Sequence, residues 1–166
     1  LKIDYTYYIS NKGIMTNPTI EALVPNWTAD YCEALTQNYF NYHVSSLKTN
    51  SERFSKPNGS VLGHRPDLSE YAKSQLAEIE NGTAKLMKFR AIEGKKYYKV
   101  VQQEFDEDRQ EYRDRSVNSF VDKKTGEVYK AASWKSPAKG VRFDMRIINQ
   151  RNLMHNPNYV DWASGH

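Results

Sequence analysis

The stretch KYYKVVQQEF at 96–105, followed by EYRDRSVNSFV at 111–121 and EVYKAAS at 127–133, decides the fold. In each run, apolar or aromatic side chains alternate with polar ones, the period of a half-buried strand. Between the runs stand two polar turns, DEDRQ at 106–110 and DKKTG at 122–126. Gly126 sits where the second turn wants a positive φ. Upstream, AKLMKFRAI at 84–92 ends on the turn Glu93-Gly94 and supplies one more strand. Four strands joined by short turns predict an antiparallel β-meander, one face of which can rest on helices.

The helices are expected ahead of the meander. Asn17-Pro18 reads as a cap followed by proline in the first helical position, opening a short helical turn that Pro25 ends. From Trp27, the residues Tyr31, Leu35, Tyr39 and Tyr42 recur at steps of three or four. That spacing predicts a helix over 28–43, capped by Asn26 or Thr28. Asp67-Leu68-Ser69-Glu70 matches a capping box and predicts a helix over 68–81. Leu68, Tyr71, Ala72, Leu76 and Ile79 form its apolar face, and Asn81-Gly82 stops it. A strand is expected over 2–10, turning at Asn11-Lys12-Gly13. The polar stretch 48–66 reads as a long loop, mobile or functional. A short element is expected over 141–148 and an irregular tail over 149–166. The whole is read as one α+β domain over 1–166, in a cystatin-like or NTF2-like layout, which by itself fixes no function.

Composition narrows the partner class. A chain of 166 residues buries enough surface to need no disulfide or metal. The single cysteine, Cys32, cannot form an internal disulfide and reads as a small buried hydrophobe. No apolar run reaches the roughly 18 residues of a membrane span, and no charged-then-apolar leader precedes the first strand. Three sequons occur, at Asn26, Asn58 and Asn81, where this composition produces one or two by chance, so glycosylation is the weaker reading. Net charge is +4, unevenly placed: 7 Lys/Arg against 9 Asp/Glu over 1–83, but 17 against 11 over 84–166. The imbalance hints at an anionic partner.

No catalytic motif stands out. His43, His64, His155 and His166 fall in no ligand spacing, and glycine-rich phosphate loops, nucleophile elbows and paired C-x-x-C motifs are missing. His64 beside a helix start could serve as an acid or base, though an exposed loop histidine is the plainer reading. Asp106, Glu107 and Asp108 cluster in a run too short for a calcium loop. No cofactor is expected. The constellation that carries chemistry is basic and aromatic: Lys130, Trp134, Lys135, Lys139 and Arg142. Cations there can neutralise phosphate while an indole stacks a base, with Lys85, Lys88, Arg90, Lys96 and Lys99 nearby on strands.

The segments Lys95–Val101 and Ser116–Arg142 resemble small proteins of marine bacteriophages, cyanophages among them, a likeness spanning roughly 84–143. The resemblance implies a phage origin and a fold element, and no reaction. It implies a place in the infected host cytoplasm or the virion. The first expectation is therefore a non-enzymatic accessory or structural protein acting through a protein partner or self-association, with no membrane. Nucleic-acid binding by the basic loop is the alternative, and a ligand-binding or enzymatic NTF2-like pocket the third.

Overall fold

The computed structural model describes residues 18–55 and 61–160, together with the strand pairing of β1 (Tyr8–Ile9) and β2 (Met15–Thr16). The turn expected at 11–13 and most of the strand expected over 2–10 lie outside the described residues. Helix α1 (Ile20–Lys48) is followed by the antiparallel strands β3 (Ser51–Ser55) and β4 (Val61–Leu68), then helix α2 (Glu70–Glu80). Strands β5 (Lys88–Glu93), β6 (Tyr97–Asp106), β7 (Glu111–Asp122), β8 (Glu127–Lys130) and β9 (Phe143–Asp144) form one antiparallel sheet in that order. Helix α3 (Ile148–Met154) closes the described chain. The fold is α+β, with α1 on the sheet. The meander gains a fifth strand at its edge, within the short element expected over 141–148.

Helix α1 is one helix of 29 residues, where a break at Pro25 and a new start at Thr28 are expected. Pro25 falls in the second turn, so the bond it forfeits is the one to the Glu21 carbonyl in the exposed first turn. The cap is Thr19, whose hydroxyl accepts from the Ala22 N–H at 3.3 Å. Thr28 is interior and buried, and its hydroxyl donates to the Val24 carbonyl at 2.8 Å. Val24, Thr28, Tyr31 and Leu35 make the buried stripe, with Cys32 beside it at 6% exposure. Desolvation pushes the Cys32 thiol up to about 12, which suits an inert core side chain.

The stripe packs on Val100, Val121 and Val128, with Phe89, Ala91, Tyr98 and Phe143 half-buried around them. Register explains this set. Tyr98 pairs with Val121, Val121 with Val128, and Val128 with Phe143, so one row crosses four strands on one face. Between the Val100–Ser119 and Val101–Val117 pairs, β7 carries an extra residue, Asn118. This bulge brings both Asn118 and Ser119 to α1: the Tyr31 hydroxyl donates to Asn118 Oδ1 at 2.9 Å and accepts from Ser119 Oγ at 3.2 Å. At the β5 edge, the Phe89 N–H donates to the Thr36 hydroxyl at 3.0 Å. The helix thus satisfies an edge donor that a lone strand would leave open.

Two further expectations are corrected. The 48–66 loop contains the β3–β4 pair, and the turn residues between them, 56–60, lie outside the described residues. Because β4 runs through Leu68, which pairs with Ser51, the helix behind it cannot start at Asp67. The cap is Ser69, whose hydroxyl accepts from the Ala72 N–H at 3.1 Å. Of the apolar face assigned to α2, Ala72 is buried, Leu76 and Ile79 are half-buried, and Tyr71 is 61% exposed. The tail is also less irregular than expected: Met154 and Val160 are fully buried in the core. His155 Nε2 donates to the Trp27 carbonyl at 2.8 Å, and burial holds that imidazole below its ordinary value.

Ser69→Ala should cost about 1 kcal/mol in urea unfolding while Asp67→Ala changes little, the reverse of what a capping box at Asp67 demands. Gly126 has φ +74, and a Cβ there would meet Met145 Cβ at 3.3 Å and Val24 at 3.5 Å. Gly126→Val should therefore cost more than about 1 kcal/mol by the same measurement.

Candidate nucleic-acid interface

Strand alternation gives the sheet a second face, opposite α1 and α3. Tyr97 and Lys99 of β6, Phe120 of β7 and Tyr129 of β8 point to it, since Lys99 pairs with Phe120 and Phe120 with Tyr129. The rings hold one another: Tyr97 meets Phe120 and Tyr129 edge-on, each at 5.9 Å between centroids. Phe120 is buried at 3% exposure beneath this cluster, although no core residue of α1 touches that side. The face has a small apolar layer of its own.

The loop after β8 joins this layer. Ala131 bridges to Pro137, the Ala138 N–H donates to the Lys130 carbonyl at 2.7 Å, and the Arg142 N–H to the Val128 carbonyl at 2.8 Å. The Ala132 and Ser133 N–H groups both donate to the Ser136 carbonyl. These bonds pin the loop to the β8 edge and carry Trp134 over the sheet. The Lys99 ammonium lies 4.9 Å from the Trp134 ring and 5.9 Å from the Phe120 ring. One face of the indole thus meets a cation, and the side chain as a whole is 44% exposed.

All five sequence-selected residues fall along this edge. Lys130 ends β8, and Lys130, Trp134, Lys135, Lys139 and Arg142 are all exposed. Among the described residues, none of these four cations forms an ion pair, and neither do Lys96 and Lys99. The remaining basic residues singled out on strands are differently placed. Arg90 grips Asp114 with two bonds, Nε to Oδ1 at 3.0 Å and Nη2 to Oδ2 at 2.6 Å, holding that carboxyl below the usual carboxylate range. Lys88 lies over Tyr112 at 3.9 Å and Lys85 over Phe105 at 5.6 Å, towards the tip of the β6–β7 hairpin.

Composition alone did not bring out Tyr97 and Tyr129. The parity of Tyr97, Lys99 and Tyr129 about their turns was the available signal, and it needed the strand register to be read. Tyr129 donates to Glu127 Oε2 at 2.7 Å, which pushes the phenol up to about 12 and fixes its ring. Arg146 binds both Glu127 and Asp144, so those carboxylates present little free charge.

Other chemistry has less to build on. Two open hollows lie beside α1, one of about 270 Å³ lined by residues including Phe40, Ile79, Leu86 and Met87, the other of about 330 Å³. The first offers Lys88 and Tyr112 as its ionisable groups, with no acid–base pair. Among the described residues, no three His, Cys, Asp or Glu side chains are placed to hold a metal. His64 lies within β4, away from the start of α2. Asp106 caps its own turn by accepting from the Arg109 N–H at 3.2 Å. No described helix is long and apolar enough to cross a membrane.

The model of a family of unknown function, DUF7717, matches residues 5–166. The chain belongs to that family. No curated protein matches it. No solved structure matches it either.

If Lys99 rests on the indole, its methylene protons should be shifted upfield by the ring current. In proton NMR of Trp134→Leu those resonances should move downfield, keeping only the smaller shift from the Phe120 ring, and unchanged resonances would separate the two side chains.

Proposed function

We propose that this protein is a non-enzymatic binding module whose partner is a single-stranded nucleic acid, bound on the outer sheet face and the 131–142 loop. The observation that carries this reading is Trp134. It is held at the surface beside Lys99, above an aromatic layer, among cations that have no carboxylate partner among the described residues. A base can stack on an exposed indole whatever its identity, and lysines neutralise the phosphates on either side. Between Val128 and Arg142 the chain carries Lys130, Lys135, Lys139 and Arg142 and no Asp or Glu. The likeness to marine-phage proteins over 84–143 supports an accessory role in an infected host cell or a virion.

A protein partner, the first expectation from sequence, is the second reading. It rests on the exposed aliphatics Val141, Ile147, Ile148 and Leu153 at 47, 46, 60 and 44%. Exposed apolar side chains of this kind can mark association surfaces when they lie together.

Fluorescence anisotropy with labelled oligothymidylate at low salt separates the two. Binding is expected, with Trp134→Ala costing about 1–3 kcal/mol. Lys135→Ala and Lys139→Ala should each lower the salt slope by about 1. No binding at roughly 100 micromolar protein, the weak end of non-specific affinity, would overturn the nucleic-acid reading. A sedimenting dimer or larger species that ignores the oligonucleotide would favour the protein partner.

A further inference from the structure

The outer face changes sign along its strands, and that change limits what can lie on it. Residues 104–115, the end of the β6–β7 hairpin, hold Glu104, Asp106, Glu107, Asp108, Glu111 and Asp114 against Arg109, Arg113 and Arg115. β5 pairs β6 only as far as Gln103, so the hairpin runs on beyond it as a two-stranded ribbon. Two of its arginines are engaged within it: Arg113 lies 3.6 Å from Asp106, while Arg115 lies 3.7 Å from both Glu104 and Asp106. Lys85 and Lys88 lie on the near side of this tip, held over Phe105 and Tyr112. A polyanion following β6 past them and past the Arg90–Asp114 pair would then meet excess carboxylate.

At the other end of the same face stands the row Asp122, Glu127 and Asp144. Its acceptors are committed. Asp122 Oδ1 takes the Lys124 and Thr125 N–H groups, and Arg146 holds Glu127 and Asp144. Among the described residues, six cations without a carboxylate partner form one band, from Lys96 just before β6 and Lys99 on it to Lys130 at the end of β8 and Lys135, Lys139 and Arg142 in the loop that follows. The aromatic layer of Tyr97, Phe120, Tyr129 and Trp134 occupies the same band.

We propose that the ligand is a short single strand crossing β6, β7 and β8 at an angle to the strands, from Lys96 to the 131–142 loop, and stopped from extending along them by the acidic hairpin tip. This rests on the nucleic-acid reading above and adds direction, length and strandedness to it. From β6 to β8 are two interstrand steps of about 4.8 Å each, so the aromatic part of the track is short. A footprint near the low end of single-domain sites, roughly 4–6 nucleotides, follows. The six unpaired cations set a salt slope no steeper than about −4 for a single strand. A duplex keeps its bases stacked inside and offers Trp134 no free base face.

The test measures anisotropy with oligothymidylates of increasing length and with a duplex of the same length. Affinity for the native protein should rise to about six nucleotides and then level off. The duplex should bind at least about tenfold more weakly, the difference expected for losing one stacked base. In Asp106→Asn/Glu107→Gln/Asp108→Asn/Glu111→Gln, affinity should keep climbing with longer oligomers and the salt slope should steepen. Since Asp106 caps its turn, Glu107→Gln/Asp108→Asn alone serves as the milder variant and should shift the same way. Native affinity still rising beyond about 15 nucleotides would overturn the crossing track, as would equal duplex binding or a milder variant whose length profile matches the native one. Absence of any binding would instead remove the nucleic-acid reading itself, so the two failures are told apart by whether native protein binds at all.

Discussion

The Tyr31 hydroxyl is the group around which this fold is arranged. It lies fully buried at the middle of α1, where an unpaired phenol would cost about 1–3 kcal/mol. Its partners exist because β7 carries one extra residue, so that Asn118 and Ser119 both reach the helix. Burial pushes the phenol well above its ordinary value, so it stays protonated and can donate to Asn118. The bulge therefore sets the register of helix against sheet. It fixes where Val24 and Leu35 land on Val100, Val121 and Val128. It also changes what faces outward. Beyond Asn118 the parity of β7 flips, placing Val117 opposite Val101 on the outer side.

A sheet covered by helices on one face has a second face to account for, and here that face is neither bare nor buried in the usual way. Val101 and Phe120 are almost completely shielded without a helix above them. The shielding of Phe120 comes from Tyr97, Tyr129 and Lys99, and the loop that follows β8 adds Trp134. Such a layer is made of rings with polar tips and of a lysine whose stem packs while its charge stays wet. It stabilises the sheet and still presents π faces and ammonium groups to solvent. The side chains that close this face of the sheet are thus also the ones it shows to solvent.

Period-two alternation made β5 to β8 legible in the sequence, because the half-buried strands of a meander advertise their inner face. Helix α1 runs on through Pro25 although proline forfeits a bond and crowds the carbonyl four residues back, here that of Glu21 in the exposed first turn. In the second turn of an otherwise well-patterned helix, Tyr31 and Leu35 outweigh it. The β3–β4 pair falls within the stretch expected as loop because Ser51–Ser55 shows little apolar alternation in sequence. Ser69 and Asp67 compete as caps, and the choice is made by Leu68 being claimed by β4. Tertiary demand settled what local propensity left open. The same holds for Met154 and Val160, whose burial no local pattern announces.

The site divides the same way. Lys130 to Arg142 could be found as a run of cations without carboxylates, a property of the chain alone. That Lys99 belongs with them depends on a loop folding back across three strands, and that Arg90 does not belong depends on Asp114 facing it from β7. Net charge points to the half of the chain after residue 84 without separating its paired cations from its unpaired ones. Five of the seventeen cations after residue 84, Arg90, Arg113, Arg115, Lys123 and Arg146, are paired in place with carboxylates. A charge sum describes the distant field, whereas at contact distance the partner meets only the cations that the fold has left without an acid.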